Sequence, residues 1–277
     1  MKARLLKYLQ RRDGLRRVEP PALSGGVEHR VERFRGAREG FPVDLFGVNF
    51  DPAAFRDRCA CYGRTAFLDI ETLGLGDVTI FLVGILTFDP KVGLDSSPTP
   101  WPEPELRLDL FMARDPSAEG AMLRQSIEIL ARSTTWVSFN GRSFDYPRLR
   151  NRAFRHGIAL PACHRHLDLL ILVRRRWKGE LPDCRLGTVE RRLLGLERSS
   201  TDVPGREVPE RYNDYVASGE NRWVEPVLDH NRRDIAAMVV LLDRLVELDV
   251  DFVEAGATQY AAVSGPSRES SQGSGES

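Results

Sequence analysis

Arg64-Thr-Ala-Phe-Leu-Asp-Ile-Glu-Thr72 decides how this chain is read, because an apolar run there ends in two carboxylates. Its β-branched and aromatic content predicts a buried strand over Arg64–Ile70. Side chains two apart on a strand share a face, so Asp69 and Glu71 project together while Leu68 and Ile70 point the other way. Working outward, Val78–Phe88 (VTIFLVGILTF) reads as a strand paired with the first after the LGLGD turn, and Glu105–Met112 (ELRLDLFM) as a third with one wetter face. Helix is expected near Glu119–Arg132, then a strand at Thr134–Phe139, then mostly helix from Ser143 with breaks around 179–183 and 199–209. The pattern is α/β. Several α/β folds fit this order, so topology alone does not choose among them.

With 40 acidic residues in 277, roughly six acid-x-acid pairs arise by chance, so Asp69-x-Glu71 is unspecific by itself. Its position singles it out: two carboxylates leaving a buried strand before a Gly-rich turn need compensating charge. Hard oxygen donors of this kind suit magnesium or manganese. A second segment, Phe139-Asn-Gly-Arg-Ser-Phe-Asp145, ends a strand, turns at Gly141 and starts a helix. That puts Asp145 at a strand's C-terminal end, where open α/β sheets build sites, although favouring the helix dipole would equally account for it. The third segment is a long helix near Val224–Leu248. With Val227 at zero and about 100° per residue, the apolar arc runs from about 320° to about 120°. It holds Leu228, Ile235, Met238, Val239, Leu241, Leu242, Leu245 and Val246, with Asp229, Arg232, Arg233, Asp243, Arg244 and Glu247 opposite. Asp234 falls at about 340°, inside the arc, and His230 near 300°, at its edge. A carboxylate on a buried stripe takes either a cation or a basic side chain as partner.

Together FLDIET (67–72), FNGRSFD (139–145) and HNRRD (230–234) resemble the motifs of the DEDD 3′→5′ exonuclease superfamily. HLDLL (166–170), LPDCRLGTVERRLLGLER (181–198) and the Asp202–Pro209 run look like the bacterial YprB-type ribonuclease-H-like subgroup. The resemblance spans about 60 to 248. It implies a ribonuclease-H-like mixed sheet, three antiparallel strands plus parallel ones, flanked by helices. It also implies hydrolysis of phosphodiester bonds with two divalent cations, Mg²⁺ or Mn²⁺, held by Asp69, Glu71, Asp145 and Asp234. His230 would be the general base, yet it precedes Asp234 by four residues, the spacing of the family's tyrosine class, where its histidine class uses five. The expected partner is a single-stranded DNA or RNA end.

Arg174-Arg175-Arg176-Trp177-Lys178 joins phosphate partners to an aromatic ring, and Arg148, Arg150, Arg152 and Arg155 follow Asp145. Of the 40 basic residues 36 are Arg, so plain solvated surface competes with either reading. Asn140 and Gly141 are candidate contacts to a terminal nucleotide, Asp168 a further acid near the cleft, and Glu190 either orients a helix, the favoured reading, or contacts the site. Net charge is zero, which excludes a general DNA-coating protein but not a local basic track beside an acidic site. No apolar run is long enough to cross a membrane, and the basic start lacks a secretory apolar core; a surface helix is the commoner reading of it than an organelle presequence. Four irregularly spaced cysteines point to reduced thiols and a cytoplasmic protein. A zinc site from Cys59, Cys61 and the Cys163–His166 cluster would need an unusual C-x-C knuckle. Residues 1–60 read as an extension packing on the main domain at 61–250, and 264–277 as a disordered tail. Two other functions stay open: a ribonuclease-H-like endonuclease, and a nucleic-acid-binding module without useful turnover.

Overall fold

The computed structural model describes residues 22–34, 64–87, 106–198, 202–248 and 262–263 in full, and the strand backbone at 16–18, 35, 43–45, 48–50, 88, 105 and 257–260. The basic start, Cys59, Cys61 and the tail from Ser264 lie outside the described residues. The strands are β1 (Arg16–Val18), β2 (Ala22–Ser24), β3 (Val27–Arg35), β4 (Val43–Leu45), β5 (Val48–Phe50), β6 (Thr65–Thr72), β7 (Ile80–Phe88), β8 (Glu105–Ala113), β9 (Thr135–Ser138), β10 (Cys163–Asp168) and β11 (Ala257–Tyr260). The helices are α1 (Glu119–Leu130), α2 (Asp145–Arg155), α3 (Leu169–Trp177), α4 (Leu186–Val189), α5 (Val208–Ser218) and α6 (Glu225–Glu247).

The main sheet runs β1-β3-β8-β7-β6-β9-β10-β11, with β2 on β3 and a separate β4–β5 pair. β6, β7 and β8 pair antiparallel, and β6, β9 and β10 pair parallel. This is the expected mixed ribonuclease-H-like sheet. Strict alternation along β6 divides the core. Phe67 joins Leu86, Leu108, Val137, Leu167 and α6 on one face, whereas Ala66, Leu68 and Ile70 pack with α1 and α2 on the other. Asp69 and Glu71 therefore leave the sheet on the face that α6 covers.

Two parts of the expectation change. The chain after Ser143 is not helical throughout: Cys163–Asp168 enters the sheet parallel to β9, with Arg165 to Asp168 opposite Thr135 to Ser138. The expected extension at 1–60 supplies β3, which pairs with β8 over nine residues from Val27 to Arg35 and so continues the sheet itself. Its acids are buried and paired: Arg30 Nε donates to Glu28 at 2.6 Å, and Arg232 of α6 meets Glu32 at 2.7 Å. That pair, with Asp229 at 2.5 Å, is why Arg232 is buried although its helical angle places it opposite the apolar arc.

One close approach sets the depth of α6. Gly84 of β7 lies opposite Asp69 in register, and a Cβ there would fall 1.9 Å from Asn231 Oδ1 and 2.6 Å from Ile235 Cδ1. Only a residue without a side chain lets α6 rest this close to the sheet.

Candidate active site

The three motifs meet at one end of the sheet. Asp69 and Glu71 come from β6. Asp145 opens α2, and its Oδ1 accepts from the Ile70 backbone N–H at 3.2 Å, tying the second motif to the first. The turn that delivers Asp145 is held from below. Asp168 caps α3 by accepting from Leu170 N at 3.1 Å, and the same carboxylate accepts from Asn140 N at 2.8 Å and Arg142 N at 3.1 Å. Asn140 adopts the left-handed region at φ 66°, which asparagine tolerates better than most residues. Gly141 is buried, and a Cβ on it would lie 2.0 Å from Ser138 Oγ, itself 2.7 Å from His166 Nε2. Gly141 thus shapes the turn and offers no surface to a nucleotide. Asn140 does line the adjoining cleft.

Asp234 sits on α6 facing this group. Asn231, one turn before Ile235 and wholly buried, donates from Nδ2 to Asp69 Oδ2 at 2.7 Å, while its Oδ1 has no hydrogen-bond partner among the described residues. His230 Nδ1 lies 3.1 Å from Asp202 Oδ1, and its Nε2 lies 3.7 Å from Asp234 Oδ2. Arg198 completes the group: Nε and Nη2 meet Glu190 at 2.5 and 3.0 Å, Nη1 meets Asp202 at 3.0 Å, and Nη2 reaches Asp234 Oδ1 at 2.6 Å. Glu190 begins a wide π turn, Glu190–Leu194, that closes when Leu196 N donates to the Glu190 carbonyl at 2.9 Å. Such turns recur at functional sites.

The electrostatics follow from burial. Desolvation, then the charges of Glu71, Asp145 and Asp234, hold Asp69 well above the usual carboxylate range. Desolvation and the charges of Asp234 and Asp145 outweigh His230 and push Glu71 up to about 8. Asp145 rises to about 7 by burial, despite the amide hydrogen bonds of its own backbone and Ile70. Burial opposes a charged imidazole at His230, but the Asp202 hydrogen bond and the charges of Asp234 and Glu71 win and raise it to about 9. Carboxylates that repel one another at the end of a strand are the donor set a divalent cation would neutralise. In the present arrangement no three His, Cys, Asp or Glu side chains among the described residues are gathered closely enough to chelate one. The donor chemistry nonetheless fits hard cations, with Asp69, Glu71, Asp145 and Asp234 as the residues that would hold them. Zinc does not fit at Cys163: the thiol is buried and pushed up to about 11, and His166 is engaged with Ser138.

Beside Asp69 and Asp145 opens a cleft of about 770 Å³ lined by Phe139, Asn140, Phe144, Arg174, Lys178 and Arg185, among others. Arg174 is thus at the cleft as its sequence cluster suggests. Trp177 is not a free stacking surface: it is 7% exposed and belongs to the core beneath α3. Arg175 is exposed but does not line the cleft, and Arg176 packs over the Trp177 ring and meets Glu180 at 3.5 Å. On α2, Arg152 pairs with Glu119 and Asp77, and Arg155 with Asp77, so both tie elements together. Arg148 covers the Phe144 ring at 3.6 Å. Lys178, the last residue of the Arg174–Lys178 cluster, lines the cleft too. Sequence reasoning missed Arg198, Asn231, Gly84 and Arg185. Asn231 had a signal, since it falls at about 40°, in the middle of the apolar arc.

With the sheet order and the site in place, the chain belongs to the RNase H superfamily, a superfamily of nucleases that usually use divalent metals: the family model RNase_H_2 matches residues 66–246. It is similar to the uncharacterized protein YprB of Bacillus subtilis (strain 168), 32% identical over 181 residues, which are 63% of this chain and 40% of that protein. The matched region thus spans well under half of that relative's length. Among solved structures, it is similar to the family B DNA polymerase from the hyperthermophilic archaeon Pyrobaculum calidifontis, at 15% identity and a TM-score of 0.46, over 66% of this chain and 24% of the polymerase. No helix among the described residues is long and apolar enough to cross a membrane.

Proposed function

We propose that this chain is a metal-dependent 3′→5′ exonuclease that hydrolyses phosphodiester bonds of single-stranded DNA or RNA, with Asp69, Glu71, Asp145 and Asp234 holding two divalent cations, Mg²⁺ or Mn²⁺. The observation that carries this reading is the meeting of three motifs, from a strand, a turn–helix junction and a late helix, beside a cleft that offers both phenyl rings and cations. When bound, the cations would supply charge neutralisation at the phosphate and acidify the attacking water. The chain's own groups do the rest. Arg174, Lys178 and Arg185 attract backbone phosphates, and Phe139 and Phe144 give the cleft wall apolar surface for bases without regard to sequence. Asn231 fixes the rotamer of Asp69, and Asp168 fixes the turn that presents Asp145.

His230 is the proposed proton acceptor. Asp202 holds its Nδ1, so Nε2 is the nitrogen that faces the carboxylates. A ring raised to about 9 is already protonated at neutral pH, so this role requires the charges of Asp234 and Glu71 to be offset first. The 3′→5′ polarity rests on the resemblance of the three motifs, in this order, to those of the DEDD 3′→5′ exonuclease superfamily. Purified protein, a 5′-labelled single strand and Mn²⁺ test the reading together. Progressive shortening that stops on adding chelator is the expected outcome. A single internal cut would mean an endonuclease, and no product would mean a binding module.

A further inference from the structure

We infer that Arg198 is a positioning residue for the last motif: it holds Asp234 by one oxygen and, through Asp202, sets the ring of His230. The inference rests on the proposed cation-holding role of Asp234. Arg198 is only partly exposed, and its planar fork spans three carboxylates on three separate stretches of chain. Glu190 takes Nε and Nη2 at 2.5 and 3.0 Å, Asp202 takes Nη1 at 3.0 Å, and Asp234 Oδ1 takes Nη2 at 2.6 Å. Glu190 is buried at the start of the π turn, so this two-point grip fixes the guanidinium independently of Asp234. The grip then holds Asp234 with Oδ1 on Arg198 and Oδ2 turned towards His230 Nε2 at 3.7 Å. Asp202 divides its two oxygens the same way, Oδ2 to Arg198 and Oδ1 to His230 Nδ1. One guanidinium thus orients both the carboxylate and the imidazole of α6.

A cation beside a metal ligand would ordinarily repel a metal. Here Glu190 and Asp202 supply two negative charges to the one on Arg198, so the trio carries net negative charge and its field does not oppose a divalent ion. Loss of Arg198 would instead leave three carboxylates to repel one another and swing apart. Orientation therefore outweighs charge. Carboxylate ligands held by such outer partners typically lose 10–100-fold in metal affinity or activity when the partner is removed.

The test is Mn²⁺ binding by calorimetry, on the full chain and without substrate, for the parent, Arg198→Ala, Arg198→Lys and Asp234→Asn. Both Arg198 variants should raise the Mn²⁺ Kd about 10–100-fold. They should lower kcat with the oligonucleotide KM within about 3-fold, and added guanidinium should restore part of the Arg198→Ala rate. Lysine keeps the charge but cannot span three carboxylates, so it decides the matter if the alanine variant does not fold. Parental or tighter Mn²⁺ binding by Arg198→Lys, or by folded Arg198→Ala, would overturn the inference and leave the proposed function standing. A parent protein that binds no Mn²⁺, or an Asp234→Asn variant that binds it as the parent does, would overturn the proposed function and this inference with it.

Discussion

Gly84→Ala probes how the depth of α6 couples stability to the site. The added Cβ would lie 1.9 Å from Asn231 Oδ1, where real contacts stay beyond about 3.0 Å, so Asn231 must give way by about 1.1 Å, by turning its side chain or by moving with α6. Ile235 Cδ1, at 2.6 Å from the same Cβ, must give way as well. Overpacking of this kind costs about 1–3 kcal/mol. Either movement draws Asn231 Nδ2 off Asp69 Oδ2, now 2.7 Å away, and a movement of α6 would also displace Asp234 and His230 relative to β6. A shift of about 1 Å at reacting groups can cost about 10²-fold in rate. Urea unfolding followed by fluorescence, with the hydrolysis rate measured on the folded fraction, gives both numbers. Gly205→Ala is the control, since no described residue lies within 4 Å of its added Cβ and its φ is not left-handed. That control should stay within about 0.5 kcal/mol of the parent. A Gly84→Ala protein with parental midpoint and rate would refute the argument that α6 must rest on a bare backbone.

Other outcomes follow from the same geometry. Asp69, Glu71 and Asp145 are raised above their ordinary values, so their contribution to metal-free stability is full near pH 4 and lost as pH climbs through about 7 and about 8. In chelator the protein should therefore melt lower at pH 8 than at pH 5.5, Asp145→Asn should flatten that slope, and a melting point rising with pH would contradict it. His230→Ala should slow hydrolysis by about 10²–10⁴-fold with oligonucleotide binding little changed, and a near-parental rate would return His230 to a structural role. Arg174→Ala and Lys178→Ala should each weaken single-strand binding and flatten its salt dependence by about 0.7 in log–log slope per lost phosphate contact, whereas Arg176→Ala should do neither.

The sequence made the carboxylates legible because strand and helix periodicities act on single residues. Alternation put Asp69 and Glu71 on one face of β6, and the helical angle put Asp234 within the buried arc of α6. It was less informative wherever a polar residue is buried by a partner distant in sequence. Cys163–Asp168 reads as polar, yet it is the third parallel strand of the sheet, because His166 Nε2 meets Ser138 Oγ and Asp168 holds the turn at 140–142. Val27–Arg35 reads as a charged extension, yet Glu28 and Glu32 are buried against Arg30 and Arg232. Trp177 failed as a nucleic-acid contact for the reverse reason: beside three arginines it resembled a stacking surface, but the turn of α3 directs it into the core. Arg198 lacks any local pattern. Its meaning appears only when Glu190, Asp202 and Asp234 come together around it.

The central claim is that these carboxylates gather cations to cut nucleic acid, and a crystal soaked in Mn²⁺ with a short single-stranded oligonucleotide tests it most directly. Anomalous scattering should show two peaks about 3.5–4 Å apart among Asp69, Glu71, Asp145 and Asp234, with the strand's 3′ end beside them and its phosphates near Arg174 and Lys178. Mn²⁺ absent from these carboxylates, with the oligonucleotide bound elsewhere, would contradict it.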